Sequence, residues 1–245
     1  MERPRVNDSS GQKGPPAESY LASRDRAVLS GLVCVAVFAT AMGFLEAICV
    51  VYLRNNLFSP GTETQKIVAQ LGRFGIEHVR EACTIVMLAT VAWLAASHFR
   101  TRTAMFFLMF GVWDITYYIG LRLFSGWPGS LLEWDCLFLI PVPWFGPVLA
   151  PVLVSAYMVV SCILVILREA AGSSLRMRLP TFVLVGLGFG LWYWSFVKDS
   201  DIIMSSGYSG VLYSWPLFFG GMSCAVSGIL VAWRHSAELT RVKTP

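Results

Sequence analysis

Charge is scarce in this sequence. Of its 245 residues only 14% are Asp, Glu, Lys or Arg, against about 25% in an ordinary soluble domain. That scarcity excludes a disordered chain and an ordinary soluble enzyme. Histidine is scarcer still, with His78, His98 and His235 the three present. All three fall at the ends of apolar runs, so a buried bis-histidine haem is not expected. Serine proteolysis lacks a mid-membrane histidine base. There is no H-E-x-x-H, no paired aspartate-rich motif suited to magnesium-diphosphate chemistry and no arginine ladder of a voltage sensor. The six cysteines form no C-x-x-C pair, which excludes the usual thiol-redox and zinc-ribbon spacings. No internal repeat and no glycine-rich phosphate loop occur.

Apolar residues are abundant instead, at 56%, with a mean hydropathy of +0.61. A bilayer-spanning helix needs about 20 mostly apolar residues. Six segments qualify, at about 27–53, 76–97, 103–121, 147–167, 179–197 and 211–233. The fold expected is an all-α, polytopic membrane bundle of six transmembrane helices. Residues 1–26 are polar and rich in Pro, Gly and Ser, and read as a disordered tail. Residues 235–245 read as a second tail. Ala39-Thr40-Ala41 has the look of a signal-peptidase site, but the first apolar run is too long for a signal peptide, so an uncleaved span is expected.

Lys and Arg fix the orientation. With both termini inside, thirteen of the nineteen cationic residues fall on the cytoplasmic side and six outside. The net charge of +4 is what this bias produces and calls for no nucleic-acid partner. A cytoplasmic-membrane protein with cytoplasmic termini is expected, the lipid bilayer being its first partner.

Ionisable groups inside such spans are costly and mark the places to look. Glu46 lies beside Ala39, Gly43 and Ala47, small residues that let helices approach. It reads either as a proton carrier or ligand, or as a carboxyl that locks two helices. Asp114 precedes Tyr117 and Tyr118 at i+3 and i+4, which puts both hydroxyls within reach of its helix face. It reads as the centre of a polar pocket or as an acid–tyrosine lock. Glu77-His78-Val79-Arg80-Glu81 opens the second span. His78 and Glu81 share a helix face and can ligate a metal, or the segment is a helix end with a Glu77–Arg80 ion pair. Upstream, Thr62–Val79 reads as an outer amphipathic helix, with Ile67, Val68, Leu71 and Phe74 as its apolar stripe.

Between the third and fourth spans, Ser130 and Glu133 have the spacing of a capping box. A short helix is expected to start there and stop before Pro141. The stretch Cys136–Phe145 is apolar but broken by Pro141 and Pro143. It reads as a re-entrant or interfacial element, anchored by Trp127, Trp134 and Trp144, or as a kinked lead-in to the fourth span. In the favoured orientation Glu46, His78, Glu81, Asp114, Glu133 and Asp135 all gather on the outer side. A carboxylate-lined pocket opening outward is the expectation, with Tyr117 and Tyr118 in its wall. Gly186/Gly190 in the fifth span and Gly220/Gly228 in the sixth read as helix-packing faces, within the chain, against a second copy or against a membrane partner.

The segments Gly43–Ala47, Arg80–Leu88, Phe110–Asp114 and Gly126-Trp127-Pro128 through Pro147 resemble a family of bacterial multi-pass membrane proteins. The resemblance covers Gly43 to Ser155. It implies bacterial origin and six spans, and it carries no activity or cofactor. Three functions stay open: a membrane-embedded partner or accessory subunit, a small proton-coupled transporter, and a membrane enzyme with an outer metal or acid–base site.

Overall fold

A computed structural model describes residues 17–57, 75–173, 175 and 177–243. The chain is mostly helical. Seven helices are described: α1 (Ala17–Leu57), α2 (Ile76–Ala95), α3 (Phe99–Ser125), α4 (Leu149–Ala170), α5 (Leu179–Val197), α6 (Ser200–Ser206) and α7 (Trp215–Lys243). Six helical segments are long and apolar enough to cross a membrane, as the apolar runs predict. The chain is thus compatible with a multi-pass membrane protein.

The helix ends differ from the hydropathy reading. α1 begins at Ala17 and α7 runs to Lys243, so both enter stretches read as tails. Ala, Leu and Glu in 17–22 favour helix without being apolar enough for a span. Of the expected amphipathic helix, Thr62–Phe74 lies outside the described residues, and Ile76–Val79 forms the first turn of α2.

The largest departure lies between α3 and α4. No helix starts at Ser130. Strands β1 (Trp134–Phe138) and β2 (Trp144–Pro147) instead pair as an antiparallel hairpin, with Asp135 opposite Gly146 and Cys136 opposite Phe145. The register shifts between Cys136 and Phe138. Pro141, Pro143 and Pro147 cannot sit inside a helix, whereas the aromatic residues of both strands suit a pleated surface. The capping-box residues still meet, but in a turn. Glu133 Oε1 accepts the N–H groups of Gly129 (3.0 Å) and Ser130 (3.1 Å), while Ser130 Oγ accepts that of Leu132 (3.2 Å). The hairpin is an interhelical cap rather than a kinked lead-in to the fourth span.

Small residues set the helix layout. Gly43 of α1 lies so close to α3 that a Cβ there would come 2.1 Å from Thr116 Oγ1 and 2.7 Å from the Trp113 carbonyl. Gly120 meets Ala47 on the same seam, and Gly111 brings α3 against the Ser155 carbonyl of α4. α1, α3 and α4 therefore pack in sequence, with α2 on the edge of α3. α5 and α7 form a separate tight pair. Gly188 faces Gly221 and Ala225, and Gly228 faces Val185 and Leu184. The hairpin and α6 close one end over both groups, with Ser200 Oγ donating to the Pro143 carbonyl at 2.6 Å.

Candidate functional site

Glu46, Glu77, Glu81, Asp114 and Asp135 are held in separate groups. The first group joins three helices. Arg80 of α2 donates through Nη1 to Glu46 Oε1 of α1 at 2.5 Å and through Nε to Glu77 Oε2 at 2.6 Å. Trp113 Nε1 of α3 donates to the other oxygen of Glu46 at 2.9 Å. The Glu46 side chain is 12% exposed and Glu77 is buried, so two carboxylates share one guanidinium away from bulk water. The Glu77–Arg80 ion pair expected at the start of α2 is present.

Glu81, one turn further on, is buried and faces the hairpin. Its two oxygens lie 3.1 and 3.0 Å from the Leu139 backbone nitrogen, whose N–H they accept. The donor lies just before the cis Ile140–Pro141 bond, in the loop joining the strands. A buried backbone N–H needs an acceptor; Glu81 is that acceptor. On the hairpin itself, buried Asp135 accepts the Tyr118 hydroxyl at 3.2 Å, tying β1 to α3. Asp114 accepts the Ser155 hydroxyl at 2.8 Å, tying α3 to α4.

The expected acid–tyrosine pairing is therefore different. Asp114 is bonded by Ser155, Tyr118 serves Asp135, and the Tyr117 ring packs edge-on against Tyr118 at 5.1 Å. A helix-face argument within one segment finds neighbours on that helix and misses donors on others. Ser155 and Trp113 went unsingled for that reason. Their signal was a small hydroxyl, or an indole N–H, in an otherwise apolar run that also has to bury an acid.

His78 is half-buried, with Nδ1 shielded and without a hydrogen-bond partner among the described residues. Glu81 is directed to Leu139 and Glu77 to Arg80. Among the described residues no three His, Cys, Asp or Glu side chains converge as a metal site would require. Cys136, next to Asp135, has its thiol pushed well above the usual range, first by burial and then by the neighbouring carboxylate.

Two cavities lie elsewhere. One of about 390 Å³ sits between α3 and the turn before β1, lined by Ile119, Pro128 and Leu131 among others. The other, of about 810 Å³, opens between α3/α4 and α5/α7 toward the end opposite the hairpin. Glu46, Glu81, Asp114 and Asp135 line neither.

Comparison with known proteins finds no matching family model, curated protein or solved structure.

The glycine faces divide differently from the spacing. A Cβ on Gly186 or Gly190 would meet nothing within 4 Å, and one on Gly220 only Leu191 at 4.0 Å. Gly188, Gly221 and Gly228 make the contacts between α5 and α7. The G-x-x-x-G pair of α5 is thus open, while the glycine between its members is closed.

Proposed function

We propose that the protein is a membrane-embedded partner or accessory subunit, a rigid scaffold offering the Gly186/Gly190 face of α5 to another membrane helix. The carrying observation is how the acids are used. Glu46, Glu81, Asp114 and Asp135 each accept a hydrogen bond or ion pair from another element, and Glu77 accepts one from Arg80 of its own helix. They serve as locks, and a locked bundle with an open small-residue strip suits a helix-docking role. Lipid contacts the rest of the apolar surface. The charge bias supports cytoplasmic termini, an outward-facing hairpin and a place in a bacterial cytoplasmic membrane.

The test is purification in mild detergent followed by mass measurement of the native assembly. A stoichiometric second chain or a homo-oligomer is expected. It should be lost in Gly186→Leu and Gly190→Leu, positions where an added Cβ has no atom of the described chain within 4 Å. A stable lone monomer would count against the reading.

A proton-coupled transporter is the second reading. Its support is the Glu46–Arg80–Glu77 group, where two acids face one cation and a proton or cation would balance the charge. It requires that Glu46→Gln and Asp114→Asn abolish uptake while expression is kept. The enzyme reading has weaker support, since its candidate residues are distributed over separate pairs.

A further inference from the structure

The 810 Å³ cavity between α3/α4 and α5/α7 has a polar mouth and an apolar depth. At the mouth stand His98 and Arg100 of the α3 start, Glu169 of the α4 end and Thr181 of the first turn of α5. Deeper in, Phe189, Trp192 and Ile229 are among the lining residues. Along α5, Thr181 and Trp192 are about 16 Å apart at the ~1.5 Å rise of a helix. Half of a hydrocarbon core of ~30 Å is about 15 Å. The cleft is therefore one leaflet deep, and polar where that leaflet meets water.

Two further observations concern what fills it. Thr181 is 1% exposed, yet its hydroxyl has no hydrogen-bond partner among the described residues. A buried hydroxyl normally finds an acceptor. The mouth also carries one charge of each sign in contact. Arg100 Nη1 lies 2.7 Å from Glu169 Oε1, and their side chains are 44% and 21% exposed. Such a pair faces an anion and a cation equally well. A purely anionic group bound to Arg100 would be repelled by the adjoining carboxylate.

We propose that this cleft holds a zwitterionic phospholipid of the leaflet opposite the hairpin. Its phosphate lies against Arg100, its ammonium against Glu169, an ester oxygen accepts from Thr181, and an acyl chain fills the apolar depth. The site is independent of the α5 docking face and requires only that the bundle sits in a bilayer.

The full-length protein is reconstituted with equal amounts of phosphatidylethanolamine and phosphatidylglycerol of the same chains, then released for native mass spectrometry. Retention of one phosphatidylethanolamine per chain is expected. Glu169→Gln should cut the preference by about threefold, the size of one exposed charge pair. Ile229→Trp, which fills the depth, should abolish retention. Thr181→Val should weaken it without adding bulk, and covers the case in which the tryptophan variant does not fold. Equal or stronger retention of phosphatidylglycerol would overturn the proposal. So would no retained lipid, or retention unchanged in both Thr181→Val and Ile229→Trp.

Discussion

The α1–α3–α4 layer and the α5–α7 pair hold helices together by different means. In the first, each close approach of small residues is accompanied by a polar lock: Gly43 sits one turn from Glu46, and Gly111 one turn from Asp114. In the second, Gly188, Gly221 and Gly228 bring the backbones together, and the seam carries no ion pair among the described residues. In a bilayer, whose lipid tails are as apolar as leucine, neither group would gain from apolar burial between helices alone. The first draws on directional bonds that break singly at high cost. The second draws on shape, which fails when a methyl is added.

The sharpest way to break this contrast is Arg80→Met. It leaves Glu46 and Glu77 facing each other without a cation, and removal of one partner from a buried ionic group costs about 3–5 kcal/mol. Thermal unfolding in detergent should fall steeply, and a change below about 1 kcal/mol would show the group to be solvated. Next comes Gly188→Ala. Its methyl would stand 2.8 Å from the Gly221 carbonyl and 2.9 Å from the Ala225 nitrogen, both backbone atoms. A loss of about 1–3 kcal/mol is expected, as in other overpacked sites. Limited proteolysis should find α5 and α7 released first, with α1, α3 and α4 still protected; simultaneous cleavage of both groups would contradict the division. Tyr118→Phe is milder. It removes one bond to Asp135 and should cost about 1 kcal/mol, with the hairpin loosened and the helices intact. Hydrogen exchange at the β1 amides reports it. The smallest effect is chemical. Since the thiolate is the reactive form, Cys136 should resist alkylation at pH 8 in folded protein and react on unfolding. Fast labelling of the native state would place the thiol outside the hairpin core.

The six spans were legible because length and apolarity alone define them. The polar residues that matter were legible too, since an acid in an apolar run stands out. Their partners were not. Glu46 and Arg80 are far apart in sequence, and nothing local to either indicates that α1 and α2 meet. Arg80 stood out only through its neighbour Glu77, one turn away. The hairpin was misread for a different reason. Ser130 and Glu133 are at helix-capping spacing, and the turn they form satisfies much of the same backbone demand. Only the prolines downstream argued for extended chain. On α5 the glycine spacing was legible but its direction was not, because two faces of one helix carry glycine and only packing reveals which is closed.

Glu81 has a consequence for biosynthesis. The N–H that its carboxylate accepts belongs to Leu139, which follows it by 58 residues. When α2 leaves the ribosome, neither the hairpin nor α3 exists, and its first two turns carry two carboxylates and an arginine in a segment otherwise long and apolar enough to cross a membrane. α1 is already present and supplies Glu46 to Arg80, but Glu81 has no donor until the hairpin has been translated. Membrane integration of α2 should therefore be completed late, after its successors, and chains that end at Ser125 should leave the start of α2 open to aqueous labelling where the full chain does not.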